Sequence, residues 1–252
     1  MTITCADISP EEMIELAFGY VQEPFSEKSR QIFTRLIAPI KNKTILELGC
    51  GANGYFWALG YVQRAQSITF CDRSQLYLDC LKKNLNQLCK AKTIQSFSAV
   101  LSFLKNKKLV DAQATIHELA KQILMKSEFV CYDFVCDKPL ANKYDYIVMV
   151  ESIACVQDQD ELNLVLAKIN KMLNKTGTLN AIWTPYIERN ELTKILIKEK
   201  IDGQLNPNIS HFEKALKKNG LRIVQLEQDK SAPLEGCPEN YPHPIFIIAE
   251  KP

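Results

Sequence analysis

The chain has 252 residues, 46% of them apolar, which is enough for one large α/β domain and makes two small ones less favourable. Its 31 basic and 29 acidic residues leave a formal net charge of +2, so the sequence carries no electrostatic footprint for nucleic acid or anionic lipid. Nine cysteines, an odd number with no C-x-x-C pair, and only three histidines argue for reduced thiols in a cytoplasmic protein and against a zinc site. No signal-peptide pattern opens the chain, and no apolar run reaches membrane-spanning length.

Residues 1–43 read as two helices. Ser9-Pro10-Glu11-Glu12 is a helix start, with Ser as cap, Pro at the first position and acids in the first turn, and Tyr20 lies on the apolar face that follows. A second helix is expected from about Ser26 to Ile37, with Ile32, Phe33, Leu36 and Ile37 inward.

The organising stretch is Thr44-Ile45-Leu46-Glu47-Leu48-Gly49-Cys50-Gly51-Ala52-Asn53-Gly54. The run to Leu48 reads as a buried parallel strand, the glycines as a turn, and Tyr55 to Tyr61 as the first turns of a helix. A strand, a glycine turn and a helix bring backbone close to a nucleotide-like ligand. Gly49, Gly51 and Gly54 spell G-x-G-x-x-G, which by itself also suits a dinucleotide. Glu47 shifts the balance, because an anion two residues before the first glycine repels pyrophosphate and suits a ligand carrying ammonium and sulfonium. A purely structural glycine turn is the alternative.

Strand two is Ser67 to Cys71, ending at Asp72. An acid at that tip, about 20 residues past the glycine turn, accepts from ribose hydroxyls. Because Arg73-Ser74 follows as a helix start, capping is the other role open to Asp72. An amphipathic helix runs from Ser74 to about Lys90, with Leu76, Leu78, Leu81, Leu85 and Leu88 apolar. Residues 91–128 form a helical insertion, with helices near Phe97 to Lys105 and Asp111 to Met125, and His117 on the second.

Strand three is Glu128 to Tyr132, followed by Asp133-Phe134. Strand four is Tyr144 to Val150, ending at Glu151-Ser152. A helix from Asp160 to Leu173 follows, then Asn174-Lys175-Thr176-Gly177 as its stop, and strand five from Thr178 to Trp183. Helices are expected at about Glu191 to Lys200 and Ile209 to Asn219, with Gly220 terminating the latter. Strand six is Leu221 to Leu226 and strand seven Pro244 to Glu250; the connection from Gln228 to His243 is long enough for a substrate-side loop.

The stretch E-L-G-C-G resembles motif I of class I S-adenosylmethionine-dependent methyltransferases, and the motif order from residue 44 to 252 resembles that class throughout. The resemblance implies an α/β fold: a Rossmann-like seven-stranded, mostly parallel sheet with helices on both faces and strand seven antiparallel. It implies a helical lid at residues 1–43, where Tyr20 is a candidate contact or an interhelical packing residue, and a methyltransferase domain at 44–252. The helical N-terminus and the insertion are similar to the nicotinamide and phenylethanolamine N-methyltransferases, although Ala52-Asn53 and Trp183 depart from that pattern.

The cofactor implied is S-adenosyl-L-methionine, held by Tyr20, Glu47, Gly49, Cys50, Gly51, Gly54, Asp72, Arg73, Asp133, Phe134, Glu151 and Ser152. Within that set the resemblance gives Asp133 and Phe134 the adenine, with a turn-forming Asp133 as the alternative, and puts Glu151 and Ser152 beside the transfer position.

Methyl transfer mainly needs positioning and desolvation, so no catalytic triad is expected. Glu151, Tyr186 and His211 are the catalytic candidates, with Trp183 and Glu188 beside them, because acids and aromatics hold a cationic or aromatic amine. Core packing is the alternative for Trp183 and Tyr186, and a helix-start role for His211. The substrate expected is a small molecule, an amine or heteroaromatic nitrogen, with no nucleic-acid or membrane partner and no metal. A protein or RNA acceptor and a non-catalytic binding protein are the other readings. Glu47 and Asp72 are both expected on exposed loop edges, so that replacing either would spare the fold.

Overall fold

The structure is a computed structural model that describes residues 27–90, 97–184, 205, 207–229 and 243–252. The first expected helix with Tyr20, the expected helix at 191–200, Tyr186, Glu188 and residues 230–242 lie outside the described residues. The seven strands form one sheet in the order β3-β2-β1-β4-β5-β7-β6, where β1 is Thr44–Leu48, β2 Ser67–Asp72, β3 Ser127–Cys131, β4 Tyr144–Val150, β5 Leu173–Trp183, β6 Arg222–Gln228 and β7 Ile245–Glu250. β7 runs antiparallel to both β5 and β6, and the other pairings described are parallel. The chain divides into two compact units, with the break between Tyr132 and Asp133.

In the first unit, helix α1 (Glu27–Ile32) continues into a wider π turn at Phe33–Ile37. Phe33, Leu36, Ile37 and Ile40 are fully buried. The Phe33 ring packs within 5.5 Å of Phe56, 5.3 Å of Trp57 and 6.3 Å of Phe103. Gly60 makes room for it, since a Cβ there would lie 2.6 Å from the ring. In this part of the expected lid, Phe33 is the buried centre of an aromatic cluster whose other rings are half-buried.

After β1 the chain makes a 3-10 turn at Gly51–Asn53 and a single turn of helix, α2 (Tyr55–Ala58), shorter than expected. Helix α3 (Gln75–Leu88) is capped by Ser74, whose side chain accepts the Tyr77 N–H. It buries Leu78, Leu81, Leu85 and Leu88, the i, i+3, i+4 face anticipated, and leaves Leu76 outside it. The insertion forms α4 (Ser98–Asn106) and α5 (Ile116–Lys126). α5 begins five residues after the expected Asp111, because Thr115 and Glu118 close a capping box there. The guanidinium of Arg64 donates to the carbonyls of Ile37, Ala38, Gly60 and Leu109, tying three segments of this unit together.

In the second unit, α6 (Gln159–Met172) is capped by Asp158, and β5 starts at once with Leu173 paired to Tyr144. Asn174 to Gly177, read from sequence as a turn before the strand, is instead an irregularity inside it, with Thr176 at φ 65°. Helix α7 (Ile209–Lys218) packs on α6 and ends in a Schellman motif: Leu221 N–H donates to Leu216 O, Gly220 N–H to Lys217 O, and Gly220 takes φ 68°.

Candidate cofactor site

The turn after β1 combines left-handed backbone with a tight approach. Gly49 and Gly51 have φ of 66° and 58°, a region where a side chain costs about 1–2 kcal/mol. The N–H groups of Gly49 and Cys50 both donate to the Cys71 carbonyl, at 2.8 and 3.0 Å, pinning the turn to the end of β2. A Cβ on Gly51 would meet no atom within 4 Å, so the turn faces open space there. Gly54 is different: its backbone is helical, but a Cβ would lie 2.8 Å from Cys50 Cβ and 2.8 Å from Glu47 Oε1.

Two carboxylates complete this arrangement. Asp72 Oδ2 accepts the Gly51 N–H at 2.9 Å, and Oδ1 accepts the Ser74 N–H at 2.9 Å. Ser74 is the N-cap of α3, and Asp72 supports the same helix start through its bond to the Ser74 N–H. Glu47 Oε2 accepts the Tyr61 hydroxyl at 2.7 Å. Burial pushes the Glu47 carboxyl up to about 8, and the Tyr61 hydrogen bond only partly opposes that. The same burial, reinforced by Glu47, raises Tyr61 and Cys50 well above their ordinary values.

The expectation that Glu47 and Asp72 lie on exposed edges is corrected: they are 2% and 7% exposed. Glu47 is still inside the strand ladder, opposite Phe70, and lies under Gly54. Asp72 is turned inward by its two backbone donors. Arg73 is exposed, and its carbonyl accepts from Cys131 Sγ. Two residues of this site were not read from the sequence. Tyr61 left no signal, since its partner is 14 residues back. Asn84, which donates from a buried position to the Ala52 carbonyl, did leave one, as a lone amide on the apolar face of α3.

In the second unit, Asp133 Oδ1 accepts the N–H groups of Val135 and Cys136, the bonding of a turn-forming aspartate. Phe134 is buried, and the Lys168 ammonium donates to its carbonyl and to that of Val135. Glu151 sits at φ 56°, and both its carboxylate oxygens are engaged by Thr184: Oε2 accepts the N–H at 2.8 Å and Oε1 the hydroxyl at 2.5 Å. Ser152 opens a short 3-10 turn, Ser152–Cys155.

Trp183 is buried and its indole N–H donates to the Pro207 carbonyl, so it is a packing residue, the alternative weighed for it. His211 Nδ1 accepts the Asn208 N–H in the capping box of α7, the helix-start role weighed for it. Among the described residues no cluster of three or more His, Cys, Asp or Glu could hold a metal ion, and no helix is long and apolar enough to cross a membrane.

No protein-family model matches the sequence, and no curated protein matches it. Solved structures do match. The N-methyltransferase NodS from Bradyrhizobium japonicum WM9 aligns with a TM-score of 0.55 at 13% identity, over 91% of this chain and 98% of its own. Magnesium protoporphyrin IX methyltransferase from Synechocystis PCC 6803, with S-adenosylhomocysteine (SAH) bound, aligns at 0.57 and 10% identity, over 96% and 97%. A methyltransferase from Haloferax volcanii in complex with the Trm112 methyltransferase activator aligns at 0.61 and 13%, over 96% and 97%. The fold of this chain is the Rossmann-like fold of the class I S-adenosylmethionine-dependent methyltransferases.

Proposed function

We propose that this chain is an S-adenosylmethionine-dependent methyltransferase acting on a small molecule, at an amine or heteroaromatic nitrogen. One observation carries the reading: the strand-two acid Asp72 holds the N–H of Gly51 in a glycine turn that has a second carboxylate, Glu47, beneath it. A pyrophosphate would meet two acids there, whereas a cationic amino acid with a ribose is complementary to them. The open space outside Gly51 fits such a ligand.

In this reading the cofactor is S-adenosyl-L-methionine, which supplies an electrophilic methyl group on sulfur. Gly49, Cys50, Gly51 and Gly54 shape the backbone that receives it, Asp72 accepts from the ribose hydroxyls, and Glu47 offers charge to the ammonium. Arg73 flanks the ribose acid. Asp133 and Phe134 are assigned to the adenine, Glu151 and Ser152 to the transfer position, and Tyr20 and Tyr186 to the cover and the acceptor. A nitrogen acceptor with a free lone pair needs orientation and the exclusion of water more than a strong base. That suits a chain in which His211 is committed to a helix cap and Glu151 to Thr184. The layout resembles the nicotinamide and phenylethanolamine N-methyltransferases, and NodS is itself an N-methyltransferase. The Haloferax volcanii neighbour, which is seen with a methyltransferase activator, favours a second reading, a macromolecular acceptor with a partner protein.

Calorimetric titration with S-adenosylmethionine, SAH and NAD, each alone, tests the class. Micromolar binding of the first two with NAD silent supports it; binding of NAD alone overturns it. Transfer of radiolabelled methyl to a panel of amines and pyridines, against bulk RNA and protein, then separates the two acceptor classes.

A further inference from the structure

Glu47 is a carboxyl group 2% exposed, placed against the glycine turn by its own strand. Among the described residues its hydrogen-bond donor is a phenol, Tyr61, at 2.7 Å, and no ion pair with a lysine or arginine is found for it. Among the described residues, the other titratable groups around it are Cys50 in the turn, then Cys71 and Asp72 at the end of β2, which act on Cys50 in turn. None of these brings positive charge. A carboxylate so placed is costly until a cation arrives, and the neutral acid is the stable form.

We propose that Tyr61 is a positioning residue whose hydroxyl aims the Glu47 carboxyl at the glycine turn, and that a cationic ligand entering the turn displaces the proton this carboxyl carries. The inference rests on the cofactor reading above. The step balances simply: the O–H bond of Glu47 breaks, its proton leaves to solvent, and the carboxylate left behind pairs with the incoming ammonium while still accepting from Tyr61. Net charge inside the turn is unchanged by uptake of the ammonium, which removes the penalty of burying an unpaired ion.

The test is titration of the full chain with SAH at pH 6.5, in buffers of different ionisation enthalpy. The ligand's ammonium is charged at that pH, since even a peptide α-amino group, which is less basic than that of a free amino acid, titrates at about 7.7–8.0. The observed heat is expected to vary with the buffer with a slope of about one proton released, since the Glu47 carboxyl is held near 8. Affinity is expected to rise roughly tenfold per pH unit between 5.5 and 7 and to peak near 8.

Tyr61→Phe removes the donor that favours the carboxylate, so the peak moves to higher pH and binding at pH 6.5 weakens roughly tenfold or more. A Tyr61 that merely packs would lower the curve without moving its peak, which would overturn the positioning role. Glu47→Gln abolishes the buffer dependence. Tight binding in the unaltered chain with no buffer dependence overturns the proton step and leaves the cofactor reading standing. Absence of binding by SAH and S-adenosylmethionine at every pH overturns the cofactor reading itself.

Discussion

Asp72 and Gly51, 21 residues apart in the chain, are joined by one hydrogen bond of 2.9 Å from the Gly51 N–H to Oδ2. The carboxylate that would receive a ribose is thus also the clamp that holds the glycine turn in shape, and binding and local stability share one side chain.

Asp72→Ala is therefore expected to do more than empty a ligand contact. It leaves the Gly51 and Ser74 N–H groups without their acceptor, at a cost of about 2–3 kcal/mol. Urea unfolding should show that loss, and calorimetry should show SAH binding weakened more than 100-fold, the same order as a ribose contact plus a deformed turn. Asp72→Asn keeps one carbonyl oxygen and should fall between the two.

Glu47 makes stability depend on pH in an unusual direction. Its folded value is raised to about 8 from the ordinary 4.5, so between those values the folded chain holds a proton that the unfolded chain has released. The contribution of this group is fully present below about 4.5 and is lost as pH rises towards 8. The melting temperature of Glu47→Gln, which is neutral throughout, should fall less between pH 5 and 8 than that of the unaltered chain.

The two glycines of the turn should respond to alanine for different reasons. Gly51→Ala meets no atom within 4 Å and costs about 1–2 kcal/mol, from its φ of +58° alone. Gly54→Ala puts a methyl 2.8 Å from both Cys50 Cβ and Glu47 Oε1, displacing the buried carboxyl. It should cost about 1–3 kcal/mol of stability. It should also upset the pH dependence of binding, which Gly51→Ala leaves in place; thermal unfolding and titration at two pH values separate the effects.

Arg64 donates to four carbonyls from a partly buried position, at 2.7 to 3.2 Å. Arg64→Met should destabilise by about 3 kcal/mol, measured by urea unfolding, because several acceptors lose a charged partner at once. Arg64→Lys should recover less than half of that, since an ammonium cannot reproduce the planar fork. The residue lies outside the proposed site, so cofactor affinity in the folded variant should be unchanged.

Local chemistry makes most of the elements of this protein legible in the linear chain. Apolar runs of strand length, ended by Gly49 and Asp72, place β1 and β2, because a strand buried on both faces has few other sequences available to it. The Ser74 cap and the leucine spacing behind it place α3 in the same way. The reversed β7 and its neighbours came from resemblance to a class, and the pairing of β7 with β5 and β6 agrees with it.

What the linear chain could not show is which polar atoms face each other. Glu47 and Asp72 read as exposed anions because their residue types are usually solvated; they are buried because Tyr61 and the Gly51 N–H, far off in sequence, turn to meet them. Trp183 and His211 read from sequence either as functional groups or as packing and helix-start residues, because aromatic and imidazole chemistry permits both. The Pro207 carbonyl and the Asn208 N–H, at bonding distance only in the folded chain, gave them structural work. Sequence dictated the elements, whose forces act within a few residues, and tertiary structure decided the protonation and engagement of the side chains, whose partners and dielectric come from elsewhere in the fold.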